Sequence, residues 1–266
     1  MRLGLGGLFV AGVVAFSGAA QALTIEQLSK HAQGRVVHLS VRDDKGDEDG
    51  SGSGFVISRE GRVATNYHVI ENAPNLVAVF PDKREVKVTG VWAFDKDVDL
   101  AVLQLERATY EPLVLAQEPA HEGEDIALIG SPLGLGNSIS SGIVSAVRDQ
   151  GIDNKRFGAA LASWSLQVTA AAAPGSSGSP ILRGNGEVIG VLVGHLDGLE
   201  GASFAIGVDK LWKVAATASP EMRPLNAATG VRTIRTNLFI SGGVFGLVVL
   251  LWVAVSKMHG RRRADA

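Results

Sequence analysis

Cysteine is absent from the 266-residue chain, which excludes a disulfide framework, a thiol nucleophile and a cysteine-ligated zinc in any compartment. A strong net charge is also lacking. The 25 basic and 27 acidic residues leave a formal −2, which argues against nucleic acid as a partner. No internal repeat of solenoid or propeller length is present. Charged residues reach only 20% against 46% hydrophobic, a balance that excludes a disordered polymer and supplies material for a core. Mean hydropathy is +0.20, high for a soluble domain, and the excess lies at the two ends.

Arg2 precedes an uncharged apolar run over 3–16, followed by small residues and Ala20-Gln21-Ala22. A basic start, an apolar stretch and an A-x-A site predict a secretory signal peptide over 1–22. An uncleaved anchor is the alternative, and either way the next segment crosses the membrane. Residues 238–255 form an 18-residue run without a charge. As a helix it would span roughly 27 Å, close to the roughly 30 Å hydrocarbon core. Lys257, Arg261, Arg262 and Arg263 follow, so 256–266 reads as a basic cytoplasmic tail and 238–255 as a C-terminal transmembrane helix. Between 23 and 237 the basic count falls to 20 and the acidic count to 26, because Arg2 and those four cations leave along with Asp265. An acidic exported part facing a periplasm or its equivalent is the expectation.

Within that part, Leu23, Ile25 and Leu28 predict a short amphipathic helix opened by Thr24 with Gln27 three residues on. Short β runs follow at 35–41, 53–58, 62–66, 76–80, 84–92, 98–105, 125–130, 138–147, 164–169, 180–183, 187–193 and 203–207. Many alternate apolar and polar residues, as in Glu85-Val86-Lys87-Val88, and Gly, Asp or Asn clusters separate them. A polar stretch near 106–123 divides them evenly, which predicts an all-β fold of two six-stranded antiparallel barrels. A closing helix is expected over 208–219, and 220–237 reads as a flexible linker. The acidic run 43–49 reads as a solvated hairpin tip. It lacks the full ligand set of a calcium loop, and His121, Glu124 and Asp125 suit a polar inter-barrel connection better than a metal. No metal and no cofactor are expected.

Chemistry concentrates at Ala170-Ala171-Ala172-Ala173-Pro174-Gly175-Ser176-Ser177-Gly178-Ser179-Pro180. Small residues let the backbone turn sharply, so a serine there can project its hydroxyl into a cleft while N–H groups of Gly175 and Ser177 converge on an oxyanion. Serine needs a base. Of the six histidines, His68 lies in Val63-Ala64-Thr65-Asn66-Tyr67-His68-Val69-Ile70 at the end of a buried-looking strand, a rigid site for an imidazole. Asp99 opens the apolar run 100–105, where a carboxylate is expensive unless paired. The order His68, Asp99, then a serine of the run 174–180 is the one used by chymotrypsin-like enzymes.

These segments resemble the trypsin-like serine proteases, specifically the bacterial Deg/HtrA type. The resemblance rests on Gly52-Ser53-Gly54-Phe55-Val56-Ile57, Thr65-Asn66-Tyr67-His68-Val69-Ile70, Asp97-Val98-Asp99-Leu100-Ala101-Val102-Leu103, Ile129-Gly130-Ser131-Pro132-Leu133-Gly134, 174–180 and Gly186-Glu187-Val188-Ile189-Gly190. It implies a chymotrypsin-like double barrel with the cleft between barrels. It also implies His68 as general base and acid, Asp99 as its orienting group, Ser177 as nucleophile, and the Gly175 and Ser177 N–H groups as oxyanion hole. Its specificity pocket would be walled by Ala171, Ala172, Ala173 and Phe204, with no charge awaiting Lys or Arg. The chain departs from the pattern at Ser176, Ser179 and Thr169, and the roughly thirty residues before the apolar run are too few for the family's PDZ domain. The resulting expectation is a single-pass serine endopeptidase of the bacterial inner membrane, its catalytic domain in the periplasm. Its partners would be protein or peptide substrates, some at the membrane, with no nucleic acid; the family's trimers leave a homo-oligomer open. A proteolytically inactive chaperone or binding module on the same scaffold is the alternative.

Overall fold

The computed structural model describes residues 22–131, 137–148, 164–195, 201–218 and 222–229. The stretch read as a signal peptide, up to residue 21, Pro132-Leu133-Gly134, the apolar run 238–255 read as a membrane helix and the stretch 256–266 read as a tail lie outside the described residues. Among the described residues, no helix is long and apolar enough to cross a membrane.

The chain opens with α1 (Ile25–Ala32), capped as its sequence predicts: Gln27 N donates to Thr24 Oγ1 and Thr24 N to Gln27 Oε1. The first barrel is built from β1 (Val36–Arg42), β2 (Glu48–Val56), β3 (Arg62–Thr65), β4 (Asn75–Val79), β5 (Glu85–Asp95) and β6 (Leu100–Leu105). The second contains β7 (Asp125–Gly130), β8 (Ser138–Val147), β9 (Leu166–Val168), β10 (Pro180–Arg183), β11 (Val188–His195) and β12 (Ser203–Gly207). Each closes on itself through antiparallel pairs, in the order β1-β2-β3-β6-β5-β4 and β10-β11-β12-β9-β8-β7. Along β5 the alternation is visible directly: Glu85 and Lys87 are exposed, while Val86 and Val88 are buried. Phe55, Leu39, Leu103 and Leu105 are among the fully buried side chains of the first barrel region, and Ile181, Leu182 and Ile189 among those of the second.

The connection between barrels is tied to both. Leu113 N donates to Val56 O, Val188 N to Val114 O, and Ala116 N to Val188 O, all at 2.8–2.9 Å. The closing helix α3 (Val208–Ala216) touches strands of both barrels, and Trp212 Nε1 donates to Ala116 O. The two barrels are therefore tied to each other through the connection and α3.

Two expectations change. The acidic run 43–49 is a tip only as far as Asp47, where Asp43 N donates to Asp47 O; β2 already begins at Glu48, opposite Arg42. The Glu48 carboxylate meets His38 Nε2 at 3.2 Å. The stretch read as a flexible linker contains an ordered part, 222–229, with Arg223 bridged to Val91 and α4 (Leu225–Thr229) set against the first barrel. Ala228 and Thr229 are buried there, although small and polar residues carry no apolar period that would announce it.

Candidate active site

His68 does not end a strand, as its apolar surroundings suggest. It lies in a one-turn helix, α2 (Tyr67–Ile70), between β3 and β4. Asp99 reaches it from the turn before β6, where Asp95 Oδ1 accepts from Asp97 N and Val98 N. The Asp99 carboxylate takes two hydrogen bonds from one residue: Oδ1 from His68 N and Oδ2 from His68 Nδ1, both at 2.8 Å. A carboxylate only accepts, so the ring proton sits on Nδ1 and leaves Nε2 as the basic nitrogen. The aspartate backbone is left-handed, with φ 62°, a conformation that Asp tolerates better than most residues. Its carbonyl is fixed by Tyr67 N at 3.2 Å and Asn66 Nδ2 at 3.1 Å, so four hydrogen bonds hold the strained residue in place.

Ser177 arrives from the second barrel on the turn before β10. Ser176 N donates to Ala173 O and Ser179 N to Ser176 O, which folds the small-residue run into consecutive turns. Gly178 has φ 87°, and a Cβ there would collide with the Ser53 carbonyl. The Ser177 hydroxyl donates to Val193 O at 2.7 Å, and among the described residues no hydrogen bond joins it to His68. Neither Gly175 N nor Ser177 N donates to a protein acceptor among the described residues.

Ser53, in the first barrel, holds this loop. Its N donates to Ser177 O at 2.7 Å, its hydroxyl donates to Gly175 O at 2.8 Å, and the same hydroxyl accepts from Ser131 N at 3.1 Å. Its carbonyl accepts from Thr65 Oγ1. Val69, next to His68, packs against the neighbouring Gly52, so the two halves of the site meet along this one segment of β2. The motif containing Ser53 was visible in the sequence; its role as a tie between barrels was not.

The remaining residues divide. Ala171 and Ala173 are exposed beside the turn, and Ala172 is half-buried. Phe204 stacks on Trp164 with ring centroids 5.4 Å apart and is 3% exposed, which leaves little ring surface for a substrate. Ser176 is buried, its Oγ 3.4 Å from Ala173 N, while Ser179 is fully buried with its hydroxyl unpartnered. Thr169 Oγ1 accepts from Ile143 N and so ties the end of β9 to β8.

A family model described as trypsin-like peptidase domain matches residues 52–191, about half of the chain. The chain belongs to the trypsin-like peptidase family. It is 38% identical over 168 residues to "Probable periplasmic serine endoprotease DegP-like" of Halomonas elongata, covering 62% of this chain and 34% of that one. It is 33% identical over 188 residues to "Protease Do-like 1, chloroplastic" of Arabidopsis thaliana, covering 65% and 42%. The chain thus spans between a third and under half the length of these relatives. A crystal structure of the serine endoprotease from Yersinia pestis superposes with a TM-score of 0.62 at 26% identity, over 73% of this chain and 65% of that chain.

Proposed function

We propose that the chain is a serine endopeptidase of the DegP/HtrA type that hydrolyses proteins through an acyl-enzyme on Ser177. The observation that carries this reading is the double grip of Asp99 on His68, joined through β2 to a serine loop in which Gly175 N and Ser177 N donate to no acceptor among the described residues. Ser177 first turns from Val193 O toward His68 Nε2. Its oxygen attacks the scissile carbonyl carbon as the hydroxyl proton passes to Nε2, and the N–H groups of Gly175 and Ser177 receive the oxyanion. His68 returns the proton to the departing amine, and water repeats the sequence to release the acid and restore Ser177.

Ala171, Ala172 and Ala173 offer small apolar walls and no carboxylate, so cleavage follows small or medium aliphatic residues with weak selectivity. The apolar run 238–255 with its trailing basic residues favours attachment to a bacterial inner membrane, and the relative named periplasmic favours a periplasmic catalytic domain. The Ser177 to Val193 bond is the one observation that favours a proteolytically silent chaperone on this scaffold. Purified full chain and Ser177→Ala, given an unstructured protein substrate, separate the two. A fall in hydrolysis on the order of 10⁶ is expected for the variant, with products ending in small aliphatic residues. Undiminished hydrolysis by Ser177→Ala would refute the reading.

A further inference from the structure

A one-turn helix has no stability of its own, because nucleating a turn fixes several dihedrals for one hydrogen bond. α2 has four residues, its N-cap Asn66 makes no side-chain cap bond, and Glu71 N to Tyr67 O at 2.9 Å closes its turn. The helix that carries His68 must therefore be held from outside. Asp99 holds one side, through His68 N and Tyr67 N. The other side is held by 222–229, the segment that the sequence presents as linker.

The contacts are specific. The Tyr67 hydroxyl, buried, donates to Ala228 O at 3.2 Å. Just past the helix, Asn72 N donates to Thr229 O at 2.9 Å, and Thr229 Oγ1 donates to Ala73 O at 3.3 Å. The other end of the segment is fastened to β5, where Val91 and Arg223 exchange both backbone hydrogen bonds at 2.9 and 3.0 Å. Gly90 makes room for this approach, since a Cβ there would lie 2.6 Å from Arg223 O and 2.8 Å from Met222 Cγ. The Arg223 guanidinium lies 5.2 Å from the Phe94 ring centroid, and Phe94 stacks on Tyr67 at 5.4 Å. Strap, ring stack and helix form one continuous packed path to the residue before His68.

We propose that residues 222–229 act as a positioning strap for His68, with the Tyr67 hydroxyl as its point of action. This rests on the endopeptidase reading, in which His68 is the base. Without the strap, α2 keeps its Asp99 contacts but loses its rear support, so the imidazole spends less time aligned for Ser177. Binding of substrate is not touched, so the loss belongs in kcat and in the rate of acylation, not in KM.

Three full-length variants test this: Tyr67→Phe, which deletes only the hydroxyl; Gly90→Ala, which crowds the strap at its far anchor; and their combination. Each single variant is expected to lower kcat and the rate of Ser177 labelling by a fluorophosphonate about fivefold, the effect of one net hydrogen bond. KM stays unchanged, and the double variant resembles the singles because both act through one element. Should Gly90→Ala fail to fold, Thr229→Val takes its place by removing the bond to Ala73 O. Variants that melt earlier yet keep full kcat well below their melting temperature would show a purely structural strap and overturn the proposal, as would effects that multiply. A wild-type chain that takes no label would refute the endopeptidase reading instead. The strap is then judged by the His68 Nδ1 proton resonance, which must exchange with water faster in Tyr67→Phe; an unchanged exchange rate would overturn it.

Discussion

The two barrels share a strand count and a closure pattern but prepare their functional groups differently. In the first, His68 is bound at both its backbone and its ring, Asp99 is held in a left-handed backbone by four hydrogen bonds, and a C-terminal strap closes the rear. In the second, the turn is well defined, yet the Ser177 hydroxyl is bonded to Val193 O, and Gly175 N and Ser177 N have no acceptor among the described residues. On the endopeptidase reading, the half that would handle the proton is ordered in advance, whereas the half that would supply the nucleophile needs one side-chain rotation to engage it. The loop itself need not move, because Ser53 already fixes the carbonyls of Gly175 and Ser177.

The sharpest way to break this comparison is to disarm the ordered half. Asp99→Asn keeps a residue that tolerates the left-handed backbone but replaces one acceptor by an amide donor, so the imidazole adopts the wrong tautomer. Turnover should fall by roughly 10⁴ with the fold intact by circular dichroism. A loss below tenfold would remove Asp99 from the assignment. The second test loosens the other half. Ser53→Ala leaves Gly175 O and Ser131 N without their shared partner, which costs about 1–3 kcal/mol of stability. Misplacing the oxyanion donors should also lower kcat on the order of 10- to 100-fold with KM held. Denaturant titration alongside steady-state kinetics measures both, and a stability loss without a rate loss would reduce Ser53 to a structural residue.

The smallest effect concerns acid. Burial pushes the Glu48 carboxyl up, but hydrogen bonds from Ser40 and His38 and the charges of His38 and Arg42 outweigh it, leaving its pKa below the ordinary 4.5. A depressed carboxyl pKa adds stability that is present above the ordinary value and lost as pH falls through the folded one. His38 also meets Ser131 O at 3.1 Å, so this contribution acts where the barrels join. Melting temperatures of wild type and Glu48→Gln should therefore differ at neutral pH and converge as pH falls well below the ordinary 4.5. A constant gap would deny the linkage.

Most of the frame was legible in the residues. Strands such as β8, β10 and β12 begin and end where the residue runs and their flanking turn residues place them. His68, Asp99 and Ser177 were legible as types in suitable surroundings. The hidden features share a cause: they are made by backbone groups or by very short elements. α2 is too short for any helical period, the strap binds through the carbonyls of Arg223, Ala228 and Thr229, and the left-handed backbone of Asp99 depends on partners distant in sequence. Phe204 was expected at the pocket on its apolar character alone, and that same character places its ring on Trp164.

The most direct test of the account is covalent labelling of the full-length chain by a fluorophosphonate, read by intact mass and peptide mapping, in wild type and His68→Ala. The account predicts a single adduct on Ser177 in the wild type and almost none in His68→Ala over the same time, because the serine is activated only after turning to the imidazole. An adduct elsewhere, or equal labelling of Ser177 in both proteins, would contradict it.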